Sequence, residues 1–156
     1  MRSFLRRVFP GEFFENPAYF RAFALALVYL VFLLTQLFTF EAFPGLTQYF
    51  PLKFGQAGGV GFAVGVIVLE LAALPALLSM RSSKLLWWLS RLAAVLVPLV
   101  WLAHGVVLGM LGYSGSVGLF GATLEVMSGW WFVVFMALTA LTAIVITREL
   151  PQRRAT

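Results

Sequence analysis

Four long apolar stretches, separated by short polar segments, constrain this chain more than any other feature. They cover residues 22–40, 57–79, 92–111 and 130–147, and together they hold one glutamate, one histidine and no lysine or arginine. About 20 apolar residues are needed to cross roughly 30 Å of hydrocarbon. The chain is therefore predicted to be an all-α integral membrane protein whose single domain is a four-helix bundle.

The composition excludes several classes of protein and site. Of the 156 residues 62% are hydrophobic and 11% are charged, against about 25% charged in an ordinary soluble domain. The chain has no cysteine, so it cannot form a disulfide scaffold, an iron–sulfur cluster or a dithiol redox centre. Its one histidine excludes a bis-histidine haem or a three-histidine metal site within the chain. We predict no metal site.

The basic residues predict the orientation in the membrane. Ten of the eleven lie before the first stretch, between the second and third, or after the fourth, and only Lys53 lies in a loop on the other side. Cytoplasmic loops carry an excess of lysine and arginine. Both termini are therefore predicted to be cytoplasmic. This bias also explains the net charge of +5, so no nucleic-acid partner is expected.

The first 20 residues mix arginine with phenylalanine and tyrosine, are too polar and too long for a signal-peptide n-region, and no small-residue cleavage site follows the first apolar stretch. We interpret them as an amphipathic segment lying at the cytoplasmic interface, rather than as a cleaved signal peptide. Asn16 and Pro17 are typical of a helix start, because proline is favoured at the first helical position.

Two pairs of glycines indicate close helix packing. Gly61 and Gly65 are four residues apart in the second stretch, and Gly105 and Gly109 are four apart in the third. Small residues let helix backbones approach closely inside lipid. Because both pairs lie towards the outer halves of antiparallel neighbours, we predict that they contact each other.

Two prolines lie inside predicted helices. Pro75 removes the hydrogen bond to the carbonyl of Leu71, and Pro98 removes the bond to that of Ala94. We expect a kink at each site, with the freed carbonyls satisfied by neighbouring helices.

Glu70 is the most informative candidate residue, because it lies near the middle of the second stretch. An ionised, unpaired carboxylate there would cost several kcal/mol, so it must be protonated, paired or facing water. His104 on the antiparallel third stretch and Arg91 at its inner end are its candidate partners. The group is either a proton-handling pair beside a quinone, lipid or substrate cavity, or a polar clamp that fixes helix register.

A smaller set of polar residues lies in the first and fourth stretches: Thr35, Gln36, Thr139 and Thr142. Threonine hydroxyls usually bond to their own helix, so we predict mainly structural roles for them. No residue is assigned as catalytic.

The chain resembles the DoxX/MauE-like family of four-span membrane proteins. Three segments are similar: FTFEAFPGLTQYF after the first stretch, VLELAALPALLSMRSS around Glu70, and GLFGATLEVMSGWWFVVFMALTALTAIV at the end. The family's Cys-x-Cys-Phe-Gly motif corresponds here to residues 117–121, with the thiols replaced. The residues that remain at these positions are Val117, Gly118, Leu119, Phe120 and Gly121.

The resemblance implies a bacterial or archaeal cytoplasmic membrane protein associated with respiratory or redox enzymes, through quinone-linked thiosulfate oxidation or enzyme maturation. Because the thiols are absent, dithiol chemistry is not expected here. We predict an accessory membrane subunit that binds lipid or quinone and docks on other membrane-protein subunits. The alternatives are a quinone-reactive subunit that uses Glu70 and His104 for proton handling, and a small proton-coupled transporter centred on Glu70.

Overall fold

The computed structural model describes residues 16–47, 55–80 and 82–150. Of the predicted interfacial segment, residues 1–15 lie outside the described residues. Its helices are α1 (Pro17–Phe38), α2 (Phe43–Leu46), α3 (Gly55–Leu77), α4 (Lys84–Met110) and α5 (Trp130–Glu149). In this part of the chain, four helices are long and apolar enough to cross a membrane: α1, α3, α4 and α5. The all-α fold with four apolar helices is confirmed.

The outward faces of these four helices are apolar. Large side chains such as Val31, Val68, Leu92 and Leu138 are about half exposed, although they belong to the long helices. In water such surfaces would be costly, because each exposed apolar side chain forfeits the free energy of burial. In a bilayer they face hydrocarbon. The pattern is that of a bundle whose surrounding solvent is lipid.

Local signals fix where two helices begin. The side chain of Asn16 accepts a hydrogen bond from the Ala18 amide at 2.9 Å, and Pro17 takes the first position of α1 as predicted. Ser83 caps α4 in the same way by accepting from the Leu86 amide at 3.3 Å. Because Ser83 supplies this cap, α4 begins eight residues before the predicted start of the third apolar stretch.

The helices pack in sequence order. α1 packs on α3, α3 on α4 and α4 on α5, whereas α1 and α5 make a smaller contact. An ion pair of 2.9 Å between Arg21 and Glu149 joins the start of α1 to the end of α5. We call this side of the bundle, which also carries the α3–α4 turn, the terminal end. The opposite side carries α2 and the α4–α5 loop (residues 111–129) and is called the loop end.

The predicted contact between the two glycine pairs is wrong. Gly61 and Gly65 face away from the bundle, with no atom within 4 Å of a side chain built on either. The reason is helical phase: each is two residues from the buried Ala63, which turns it by about 200° to the opposite face. Gly105 and Gly109 are indeed packing positions, but against Phe132 and Trp130 of α5.

Alanine is the small residue that lies between the helices. Every spanning helix buries at least two alanines almost completely, which lets the backbones approach. They are Ala18, Ala22 and Ala26 on α1, Ala63, Ala73 and Ala76 on α3, Ala93 and Ala94 on α4, and Ala140 and Ala143 on α5.

Side chains of neighbouring helices bond to the backbone beside both prolines. The hydroxyl of Tyr29 donates to the carbonyl of Ala94 at 2.7 Å, and this is the carbonyl that Pro98 leaves without a helical partner. Beside Pro75, the Ser90 hydroxyl accepts from the Ala76 amide at 2.8 Å and donates to the Ala73 carbonyl at 3.1 Å. The prediction is thus confirmed for the Ala94 carbonyl, whereas beside Pro75 the neighbouring side chain bonds to Ala73 and Ala76 rather than to Leu71. These side chains of α1 and α4 fix the register of α3 and α4.

A methyl group added at Gly105 should destabilise the bundle. It would lie 2.6 Å from Cδ1 of Phe132, which is fully buried and cannot move away freely. Gly105→Ala is expected to lower the free energy of unfolding in detergent micelles by about 1–3 kcal/mol. The matched change Gly65→Ala enters open space and should be neutral or stabilise the helix by up to about 1 kcal/mol. Equal effects of the two changes would contradict this packing.

Removal of the Tyr29 hydroxyl should leave the Ala94 carbonyl buried and unsatisfied. Tyr29→Phe is expected to lower the free energy of unfolding by about 1–2 kcal/mol. Thr142→Val is the control, because that exposed hydroxyl bonds only to the Leu138 carbonyl of its own helix. Thermal unfolding in one detergent would compare the variants, and a Tyr29→Phe protein as stable as the parent would refute the role of this bond.

Candidate functional site

The buried carboxyl of Glu70 is held by the amide of Gln36. Nε2 of Gln36 donates to Oε1 of Glu70 at 3.2 Å and to the backbone carbonyl of Leu119 at 2.9 Å. Both side chains are fully buried. The amide thus uses its two hydrogens to join α1, α3 and the α4–α5 loop at one point.

The direction of side chains on a helix explains why Gln36 and Glu70 meet. Gln36 lies near the loop end of α1, whereas Glu70 lies deeper in α3. Side chains lean towards the N-terminus of their own helix. Because α1 and α3 are antiparallel, Gln36 leans into the membrane and Glu70 leans towards the loop end, so the two groups close the gap between them.

Trp101 forms the wall of this site on α4. Its indole N–H interacts with the Glu70 carboxyl, outside the geometry of a full hydrogen bond. Its ring also packs against Phe43 of α2 at 6.4 Å and Phe62 of α3 at 5.8 Å between centroids. The short helix α2 is therefore tucked against the bundle, and it helps to hold the indole against the acid.

His104 lies one turn further along α4 and is fully buried. Its ring packs against Trp101 at 5.8 Å and Phe62 at 5.1 Å between centroids, and it interacts with the backbone of Val117. The structure thus brings His104 and Glu70 into one buried cluster, with Trp101 touching both. We call Gln36, Glu70, Trp101 and His104 the polar cluster.

The α4–α5 loop closes the polar cluster from the loop end. Val117 and Leu119, the positions where the resemblance would place thiols, are 0% and 2% exposed. Val117 faces His104, and the Leu119 carbonyl accepts from Gln36. The loop backbone at Val117 and Leu119 therefore lies directly against the polar cluster.

A turn at Phe120 and Gly121 anchors the loop. The Gly121 amide donates to the Gly118 carbonyl at 2.9 Å, and both glycines have positive φ, at 57° and 76°. A side chain at Gly121 would overlap the Thr39 hydroxyl, which accepts from the Ala122 amide at 2.9 Å. The turn needs glycine here for its backbone conformation and for its close approach to α1.

Three polar atoms of the polar cluster have no hydrogen-bond partner among the described residues: Gln36 Oε1, Glu70 Oε2 and Trp101 Nε1. The first two belong to the same amide–carboxyl pair. A protonated carboxyl supplies one hydrogen that a carboxylate lacks, and amide and acid can then exchange two hydrogen bonds. Buried polar atoms without partners are costly. The arrangement is suited to holding a neutral acid.

Arg91 does not reach Glu70, so the predicted pairing of these two residues is wrong. Its guanidinium lies over the ring of Trp87 at 4.4 Å and of Trp88 at 5.5 Å from the centroids. These residues are four and three positions earlier on α4, on the side towards which a helical side chain leans. The arginine therefore points to the terminal end.

Gln36 is the partner of Glu70, although the sequence predicts a mainly structural role for it, as for the threonines of the first and fourth stretches. The threonines do bond to their own helices, as Thr139 and Thr142 show. A glutamine has no such local acceptor within easy reach, so a buried glutamine in a span points to a partner on another helix.

An apolar groove runs between α1 and α5, where these helices separate. Its part near the loop end has a volume of about 470 Å³ and its part near the terminal end about 450 Å³. Val28 and Phe135 line both parts, so the two are continuous. Phe32 and Leu119 line the part near the loop end, and Leu119 also contacts Gln36. One wall of the groove is thus shared with the polar cluster.

In the described part of the chain, no three histidine, cysteine, aspartate or glutamate residues lie close enough together to hold a metal ion.

No family model, curated protein or solved structure matches the chain. The resemblance to DoxX/MauE-like proteins therefore stays a prediction.

Loss of the Gln36 amide should loosen the α4–α5 loop. Gln36→Leu removes the donor to the Leu119 carbonyl, and the loop then depends on the Thr39 contact and on packing. We expect amide hydrogen exchange in residues 116–122 to become about tenfold faster. Thr35→Val, which removes only bonds to its own helix, should leave this exchange unchanged. Unaltered exchange in Gln36→Leu would show that the amide does not hold the loop.

Proposed function

We propose that the chain is an accessory membrane subunit of a larger respiratory or redox complex, and that it holds a lipid or a quinone in the groove between α1 and α5. The observation that carries this proposal is the groove itself, which is lined only by apolar side chains near the loop end. Ligand pockets are usually about 300–1,000 Å³ and mostly apolar, and both parts of the groove lie in this range.

The dimensions of the groove support a long hydrocarbon chain as its occupant. Its lining on α5 extends from Trp131 to Ile146, about 22 Å at 1.5 Å per residue. That is longer than one leaflet of the bilayer, about 15 Å of hydrocarbon. An acyl chain or the isoprenoid tail of a quinone would lie along the groove and cover apolar surface that α1 and α5 leave open.

The proposal assigns no redox cofactor to the chain itself. With one histidine and no cysteine, the sequence offers no ligands for an iron–sulfur cluster or a bis-histidine haem. Electrons would be supplied by partner subunits. The exposed apolar faces of α3 and α4 are available for docking on such subunits within the membrane.

A quinone-reactive role is the second candidate, and one observation favours it. Glu70 Oε2 has no hydrogen-bond partner among the described residues, and the Gln36 amide that holds this carboxyl also contacts a residue lining the groove. A quinone head at the loop end of the groove would be separated from this acid by Leu119 and Gln36. Glu70 and His104 would then exchange protons with the quinone while a partner subunit moves the electrons.

The orientation and location form part of the same proposal. We propose that the terminal end faces the cytoplasm of a bacterial or archaeal cell, since ten of the eleven basic residues lie on that side of the predicted topology. The resemblance to DoxX/MauE-like proteins points to the same membrane and to the same association with redox enzymes.

Purification of the full chain from its native membranes in mild detergent tests the accessory role. We expect a stoichiometric set of membrane subunits to co-purify, together with bound quinone or lipid. Val28→Trp would fill the groove where its two parts join and should lower the bound quinone or lipid about tenfold or more. Val64→Trp, on the exposed face of α3, is the matched control.

The outcomes separate the two candidate functions. A chain that purifies alone as a monomer would contradict the accessory role. Equal retention of quinone and lipid in Val28→Trp and Val64→Trp would contradict the groove as the binding site. Loss of bound quinone in Glu70→Gln, with full retention of lipid, would favour the quinone-reactive role.

A further inference from the structure

Arg91 lies in the membrane with no acidic partner among the described residues. One ion pair is formed in this part of the chain, between Arg21 and Glu149. Glu149 is the acid described at the terminal end, because Glu41 and Glu125 lie at the loop end and Glu70 is held by Gln36. Lys84, Arg91 and Arg148 therefore form a positive surface at the terminal end.

The depth of Arg91 distinguishes it from the other two cations. α4 has 27 residues and is about 40 Å long, against about 30 Å of hydrocarbon. If the middle of α4 lies at the middle of the bilayer, the hydrocarbon boundary falls close to Trp87. The Cα atom of Arg91 then lies about 6 Å inside that boundary. Its side chain leans back along the helix, which brings the guanidinium to the level of the phospholipid headgroups.

Two tryptophans hold the guanidinium in place. Its central carbon lies over the Trp87 ring, 4.4 Å from the centroid, and 5.5 Å from the centroid of Trp88. Trp87 is buried, whereas Trp88 is more than half exposed. A cation–π contact leaves the guanidinium N–H groups able to donate, and these are the groups that bind phosphate oxygens in pairs.

An apolar strip continues from this site towards the middle of the membrane. Trp88, Leu92 and Leu99 are exposed together on one face of α4, turned by about 60–100° from Arg91. The guanidinium of Arg91 lies beside this face, 5.5 Å from the Trp88 ring centroid. A molecule that placed an anionic group on Arg91 would find hydrocarbon contacts along this strip. The combination of a fixed cation at headgroup depth and an apolar strip beneath it matches the shape of a phospholipid.

We propose that Arg91, Trp87 and Trp88 form a binding site for the phosphate group of an anionic phospholipid, whose acyl chain lies along Leu92 and Leu99. The site is on the outer face of α4, so it is separate from the groove between α1 and α5 and does not depend on the proposed function. An arginine fixed on a tryptophan loses little conformational freedom when it binds phosphate. The site should therefore select anionic lipid over zwitterionic lipid.

Native mass spectrometry of the full chain tests this proposal. The protein would be equilibrated in micelles containing equal amounts of phosphatidylglycerol and phosphatidylcholine, and the lipid retained per chain would be counted. We expect one phosphatidylglycerol to be retained in preference to phosphatidylcholine. Arg91→Gln should weaken this retention about tenfold, the effect of losing a charge-assisted hydrogen-bonded pair.

Two variants serve as controls. Arg148→Gln removes an exposed cation at the same end of the bundle and should retain phosphatidylglycerol as the parent does. Arg91→Lys keeps the charge but loses the planar fork and should bind with intermediate strength. Equal loss in Arg91→Gln and Arg148→Gln would show a diffuse charge effect and overturn the site.

Two further outcomes would also overturn the proposal. One is the absence of any preference for phosphatidylglycerol in the parent protein. The other is displacement of the retained phosphatidylglycerol by millimolar inorganic phosphate. That result would show that the site binds free phosphate and that the acyl chains do not contribute. If Arg91→Gln fails to fold, judged by circular dichroism, the comparison of Arg91→Lys with the parent decides the question.

Discussion

A polar group inside a bilayer has no water to bond with, and this constraint organises the whole bundle. The protein meets it most tightly at Gln36, whose amide donates to both the Glu70 carboxyl and the Leu119 carbonyl. Because these acceptors lie on α3 and on the α4–α5 loop, satisfying them fixes three parts of the chain relative to one another. The fold and the candidate site therefore depend on the same contact.

The prolines show the same constraint at the level of the backbone. The Tyr29 hydroxyl takes the Ala94 carbonyl that Pro98 frees, and beside Pro75 the Ser90 hydroxyl bonds to the Ala73 carbonyl and the Ala76 amide. Such bonds contribute about 0.6–2 kcal/mol each in membranes. Their larger effect is to select one register, since sliding a helix by a turn would leave both partners unsatisfied.

The sequence predicted what depends on length, hydropathy and covalent chemistry. It predicted the four helices, the start of α1 at Asn16 and the freed carbonyl at Ala94 that a neighbour would satisfy. It could not predict what depends on how the helices are rotated about their axes. The outward face of Gly61 and the direction of Arg91 follow from helical phase and side-chain lean. Gln36 was missed for the same reason, because nothing in its own segment shows which helix it faces.

The central claim is that Gln36 and Glu70 act as one unit at the junction of the bundle and its loop. A double-mutant cycle of Gln36→Leu and Glu70→Leu, measured as free energies of unfolding in one detergent, tests it most directly. Each single change leaves a buried polar group without its partner, whereas the double change removes both. We predict that the double variant is more stable than the sum of the single effects implies, by about 1–3 kcal/mol. Effects that add to within about 0.5 kcal/mol would contradict the account.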